Sequence, residues 1–180
     1  MSGNALTAER EHLANLLEAV QRCVYFVHAS ASQVDWPLAG PALKIRQKDE
    51  ALFGALAAFN ERFAKLQDTL GAAMRHSALL MGEPTTPFLK VLALFERLGA
   101  IESVASWQLC RAARNLAAHD YQTDYERIAE HFNELHSLVT VLIQSSARVV
   151  ALCEQSLAVG PVSADFETEF RTVCLAAGAT

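Results

Sequence analysis

The sequence predicts an all-α protein, an antiparallel up-and-down helical bundle, and three observations predict it. Ala and Leu are abundant in a chain that is 52% hydrophobic, and both are strong helix formers. Apolar residues recur at three- and four-residue spacing over long stretches, the period of a helix with one buried face. Pro37, Pro41, Pro84, Pro87 and Pro161 all fall between those stretches, and only 8 glycines accompany them. No strand-like alternation and no internal repeat stand out. A chain of 180 residues can bury one sizeable core and is short for two. One domain over residues 1–180 is therefore expected, with a loop at about 30–45 and a C-terminal extension at about 160–180.

Thr7 can cap a first helix that runs to about Ala29, with Leu13, Leu16, Leu17, Val20, Val24 and Val27 at helical spacing. Ser30 to Pro41 reads as a loop, because Asp35-Trp36-Pro37 and Gly40-Pro41 break any continuing helix. Lys44, Arg46 and Lys48 form a small basic cluster at its end, usually a solvated face. A long helix follows from about Asp49 to Leu80, striped by Phe53, Leu56, Phe59, Phe63, Leu66 and Leu70. Gly82-Glu83-Pro84 ends it. Thr86 caps a short helix with Pro87 at its first position, and Gly99 closes it near Leu98. Ser103 can cap a fourth helix. Asp124 can cap a fifth, long one to about Leu157, and Gly160-Pro161 breaks the chain before a short helix at about Asp165 to Leu175.

Composition narrows the function. The net charge of -5 argues against a broad basic face that wraps nucleic acid, so any RNA contact must be local. Cys23, Cys110, Cys153 and Cys174 have no metal-type spacing and read as reduced thiols of a cytoplasmic protein. Glu9, Arg10, Glu11 and His12 break the first apolar cluster, so no signal peptide is expected. The run Leu138 to Ile143 is too short to span a bilayer, so no membrane association is expected. No glycine-rich loop cradles a phosphate, so neither a cofactor nor nucleotidyl transfer by the chain itself is expected. His131-Phe132-Asn133-Glu134-Leu135-His136 has neither the His-Glu-x-x-His of zinc proteases nor the Glu-x-x-His of di-iron bundles. His12, His28 and His76 look isolated, and no metal site is expected.

One segment concentrates polar chemistry. Arg114-Asn115-Leu116-Ala117-Ala118-His119-Asp120-Tyr121 sets a guanidinium, an imidazole and a phenol into an Ala- and Leu-rich helix. Arg offers a forked donor for phosphate oxygens, and His moves protons near neutral pH. With Arg111 at zero, Arg114 lies at about -60°, Asn115 at about +40°, His119 at about +80° and Tyr121 at about -80° on an ideal helix. Leu109, Ala112, Ala113 and Leu116 fall at roughly 100° to 200°, which predicts a packed face there. Trp107, at about -40°, would then stand on the functional face as an exposed aromatic suited to a subunit interface. Residue pattern alone is equally consistent with a solvated helix face, and Tyr121 with an ordinary core-edge residue.

Arg114-Asn115-x-x-x-His119-x-Tyr121 resembles the signature of the HEPN superfamily in its HepT toxin branch. The segments Arg62-Phe63-Ala64-Lys65-Leu66-Gln67-Asp68 and Leu98-Gly99-Ala100-Ile101-Glu102-Ser103 are similar to that family, as is Trp107 ahead of the motif. The resemblance covers roughly Asp49 to Leu142. It implies a HEPN-like helical bundle that dimerises and a metal-independent endoribonuclease site at Arg114 and His119. It also implies an MNT-type nucleotidyltransferase antitoxin as partner, with Tyr121 as acceptor of AMP. Metal-free RNA cleavage needs a base, an acid and a positive charge on the phosphorane. One histidine cannot be base and acid at once. A two-fold homodimer would supply two copies each of His119 and Arg114. Asn115 would orient His119 or a phosphate. Arg111 is a candidate RNA contact, with a surface salt bridge as the alternative. The competing functional reading is a non-catalytic substrate-binding subunit of a nucleotidyltransferase.

Overall fold

The computed structural model describes residues 2–116 and 123–178. Among them the chain is all helical: α1 (Ser2–Ala31), α2 (Gly40–Ile45), α3 (Glu50–Leu80), α4 (Phe88–Arg97), α5 (Val104–Leu116), α6 (Tyr125–Leu157) and α7 (Glu167–Ala176). His76 reaches Glu9 and Arg62 reaches the Phe26 carbonyl, so α1 and α3 run antiparallel. Gln67 meets Trp107 while Ala64 and Asp68 meet Arg114, so α5 opposes α3. Ser77 touches Cys153 and Arg10 touches Leu157, which sets α6 parallel to α3 and against α1. The four main helices thus alternate up, down, up, down.

The expected helices form for the expected reasons. The Asp49 carboxylate accepts from Leu52 N–H at 2.9 Å, and Asp124 accepts from Arg127 N–H at 3.3 Å. Each side chain thereby satisfies one of the amides orphaned at a helix start. Ser103 and Ser106 cap α5 reciprocally: Ser106 N–H donates to Ser103 Oγ at 2.9 Å, and Ser103 N–H to Ser106 Oγ at 3.2 Å. Gly99 sits at φ +72°, which lets the chain reverse after α4.

Three boundaries differ from expectation. α1 starts at Ser2, ahead of Thr7. Pro87 itself holds the cap position of α4. Within the expected loop, Gly40–Ile45 is helical, because Pro41 at the first turn loses no hydrogen bond that the helix needs. The rest of that connection is fastened to α6. Asn133 Nδ2 donates to the Leu38 carbonyl at 2.9 Å, and its Oδ1 accepts from Leu38 N–H at 2.8 Å. Trp36 stacks on His136 with ring centroids 4.2 Å apart. The His131–His136 segment is thus a latch for this loop.

Leu13, Leu17, Val20, Val24 and Val27 of α1 meet Phe59, Phe63, Leu66 and Leu70 of α3 and Leu135 and Leu142 of α6 in one core. Truncating a buried Phe such as Phe63 to Ala would cost about 3–5 kcal/mol. α6 as a whole is long and apolar enough to cross a membrane by length and composition, more than the short run Leu138–Ile143 suggests. Its apolar stripe is spent on the bundle core, where Phe132, Leu135, Val139, Leu142, Val149 and Cys153 are buried. His12 and His76 are not isolated: their rings meet edge to face at 4.7 Å, and Glu9 holds His76.

Candidate functional site: a basic groove beside α5

The site is built on how α5 sits against α3. Trp107, Cys110 and Ala113 are buried, so this is the packed face of α5. Leu109 is 56% exposed and Ala112 is also exposed. Ala113 is buried as expected, but Leu109 and Ala112, expected on the same packed face, are not. Trp107 is not an exposed interface aromatic, and the Leu109 and Ala112 stripe does not pack on the bundle. Helical geometry allows either face to turn inward. The bulkier stripe wins, because burying an indole removes more apolar surface from water.

Trp107 is seated by several neighbours. Its carbonyl accepts from Gln67 Nε2 at 3.2 Å. Its ring tilts against Phe88 at 6.1 Å. Gly71 of α3 gives both rings room, since a Cβ there would stand 3.3 Å from Phe88 and 3.6 Å from Trp107. The Cys110 thiol points to the Leu138 carbonyl at 3.9 Å, and burial pushes its pKa up to about 12. It is an inert packing group.

With Trp107 turned inward, a groove of about 240 Å³ opens between α3, α5 and the start of α4. Arg75, Arg111 and Arg114 line it, together with Gln67 and Asp68. The Arg114 side chain is 25% exposed and donates to Asp68 Oδ1 at 2.5 Å and to the Ala64 carbonyl at 3.5 Å. The Arg75 guanidinium lies 5.0 Å from the centre of the Phe88 ring, a modestly attractive cation–π contact. Among the described residues no ion pair engages Arg75 or Arg111. Among the described residues three guanidiniums face one carboxylate, so the lining is net basic, and forked donors suit phosphate oxygens.

Of the sequence-predicted residues, Arg111 and Arg114 thus share one groove. Asn115 is exposed on α5 and does not line it. His119 and Tyr121 lie outside the described residues. Asp68, Gln67 and Arg75 belong to the site although the sequence reading assigned them no part in it. Asp68 and Arg75 could have been found from spacing, since Glu61, Lys65, Asp68 and Arg75 fall on one exposed stripe along α3.

Comparison of the chain with protein-family models, with curated proteins and with solved structures finds no match.

Proposed function

We propose that this chain is a toxin-type, metal-independent endoribonuclease of the HepT-like HEPN kind, working as a cytoplasmic homodimer and neutralised by an MNT-type nucleotidyltransferase antitoxin. The observation that carries the reading is that Arg111 and Arg114 share one basic groove, with Arg114 five residues ahead of the motif histidine in sequence. The unpaired cysteines are compatible with a reducing compartment.

In this reading His119 of one protomer takes the proton of a ribose 2'-hydroxyl. The 2'-oxygen attacks the adjacent phosphorus, the bond to the 5'-oxygen breaks, and His119 of the other protomer protonates that leaving oxygen. A 2',3'-cyclic phosphate and a 5'-hydroxyl end result. Arg114 stabilises the charge that builds on the phosphorane, the step at which a fixed cation contributes most. Asn115 orients the imidazole or the phosphate, and Arg111 holds a flanking phosphate. All roles are filled by side chains, so cleavage continues in EDTA.

The homodimer is supported by the outward face of α5. Ala105, Leu109 and Ala112 recur at helical spacing and are all exposed. A second copy of α5 packed there would pair the two helices about a two-fold axis, with each Arg111 and Arg114 groove on the side of α5 turned toward its own α3. Tyr121 is the proposed acceptor of AMP. Its added phosphate would compete for Arg114 and fill the space of the RNA phosphate.

The deciding experiment incubates purified protein with RNA in EDTA, beside His119→Ala and Arg114→Lys. Cleavage by the unaltered protein alone supports the proposal. Dependence on added Mg²⁺ overturns the mechanism. RNA binding without cleavage favours the alternative, a substrate-binding subunit of the nucleotidyltransferase. Intact mass after incubation with that partner and ATP tests Tyr121, and a gain that persists in Tyr121→Phe moves the acceptor elsewhere.

A further inference from the structure

A second groove lies on the other side of the α3 stripe, between α3 and α1, with a volume of about 730 Å³. Its floor is apolar, formed by Leu16, Ala19, Cys23 and Phe26 of α1 and Ala72 of α3. Its rims are basic, with Arg22 on α1 and Arg62 and Lys65 on α3. The Arg22 and Arg62 guanidiniums stand 5.7 Å and 5.4 Å from the centre of the half-buried Phe26 ring. Asp68 and Ala72 line this groove and also the one beside α5. The two grooves therefore join across the exposed stripe of α3. From Arg62 to Arg75 the joined surface follows about 20 Å of helix axis.

Charge is concentrated here. Among the described residues, six of the chain's fifteen basic residues line the joined surface, against two carboxylates, Glu61 and Asp68. The chain as a whole is at -5, so this is a local basic track on an acidic protein. An apolar floor between basic rims offers little to a duplex, whose bases are hidden. It suits a single strand, which lays phosphates on the rims and bases on the floor. Aromatic rings and guanidinium planes both serve as stacking platforms.

We infer that the α1–α3 groove is the approach track for single-stranded RNA, continuous with the Arg111 and Arg114 groove. Phosphates lie over Arg22, Lys65 and Arg75, and a base stacks against the Arg62 guanidinium that lies over the Phe26 ring. The inference rests on the ribonuclease reading and gives it a substrate class: unpaired RNA several nucleotides long, held well away from the cleaved bond.

Cys23 is a built-in reporter. It is half-buried in the groove floor, whereas the other three cysteines are buried. The probe is a fluorescent 2'-O-methyl oligonucleotide of about 12 nucleotides, which the enzyme binds but cannot cleave. Two readouts are taken on the full chain: binding anisotropy across a salt series, and the rate of Cys23 alkylation by a maleimide. Bound oligonucleotide should slow Cys23 alkylation several-fold. The double variant Arg22→Ala/Lys65→Ala should bind on the order of tenfold more weakly, with the salt slope reduced by about 1.4, or about 0.7 per lost phosphate contact. Arg171→Ala, which removes a cation paired to Glu167 on α7, should bind as the unaltered protein does.

Unchanged affinity and slope in the double variant, with no protection of Cys23, overturn the track. Cleavage by the unaltered protein would then leave the ribonuclease reading standing. An unaltered protein that neither binds nor cleaves RNA overturns both. Protection of Cys23 by the nucleotidyltransferase but not by RNA would make the groove a protein-docking face, and the RNA track would fall.

Discussion

Asp68 holds the Arg114 guanidinium at 2.5 Å, so in the resting protein that charge is partly spent. The carboxylate is 64% exposed, and a pair open to water contributes only about 0–1 kcal/mol. An incoming phosphate can therefore take Asp68's place at little cost. Asp68→Asn should tighten binding of an uncleavable oligonucleotide up to about fivefold, by titration calorimetry, because it removes the competitor and keeps the shape. Arg114→Lys should act in the opposite sense on the chemistry, lowering kcat by about 10²- to 10³-fold with helix content unchanged in circular dichroism. Both arginines were legible in the sequence because charged groups stand out in an Ala- and Leu-rich helix. Asp68 was not, because a carboxylate on a solvated helix face looks the same whether or not a guanidinium from another helix reaches it.

At the scale of elements, the helices were legible where a cap or a breaker marks an end: Ser103 and Asp124 cap as their spacing predicts, and Asp49 caps the helix expected to begin there. The orientation of α5 was not, because this helix carries two apolar stripes. One is Trp107, Cys110 and Ala113, and the other is Ala105, Leu109 and Ala112. Periodicity reports that a face is apolar and is silent on what covers it. The bundle buries the first stripe and leaves the second to water. Leu109→Glu tests the proposed role of that second stripe. A buried glutamate pair at a two-fold axis would be strongly unfavourable. Light scattering should report a monomer, circular dichroism should be unchanged, and RNA cleavage should be lost. A Leu109→Glu protein that cleaves RNA as a dimer would remove α5 from the interface.

For the molecule as a whole, stability should depend on pH through the loop latch. Burial disfavours the charged form of His136 and holds its pKa below the ordinary 6.5. On acidification the unfolded chain binds this proton first. The stability held by neutral His136 is thus complete above about 6.5 and declines as pH falls through that value toward the folded one. Thermal melts between about pH 7.5 and pH 5 should show Tm falling, with a smaller fall in His136→Phe, which keeps a ring against Trp36 and cannot be charged. A composite site makes a second global prediction. Cleavage per protomer should fall on dilution below the dimer dissociation constant, and a rate strictly proportional to protein concentration over that range would mean that each chain acts alone.

The stacked pair of Trp36 and His136 also gives the protein an optical signature. The chain has two indoles, one pressed against an imidazole and the other shut in beside Phe88. Neutral imidazole quenches indole emission weakly, whereas imidazolium accepts an electron from the excited ring and quenches it strongly. Emission should therefore dim on acidification along the titration curve of His136 itself. The dimming should vanish in Trp36→Phe and persist in Trp107→Phe, so fluorescence alone would read the protonation of one histidine in the folded chain.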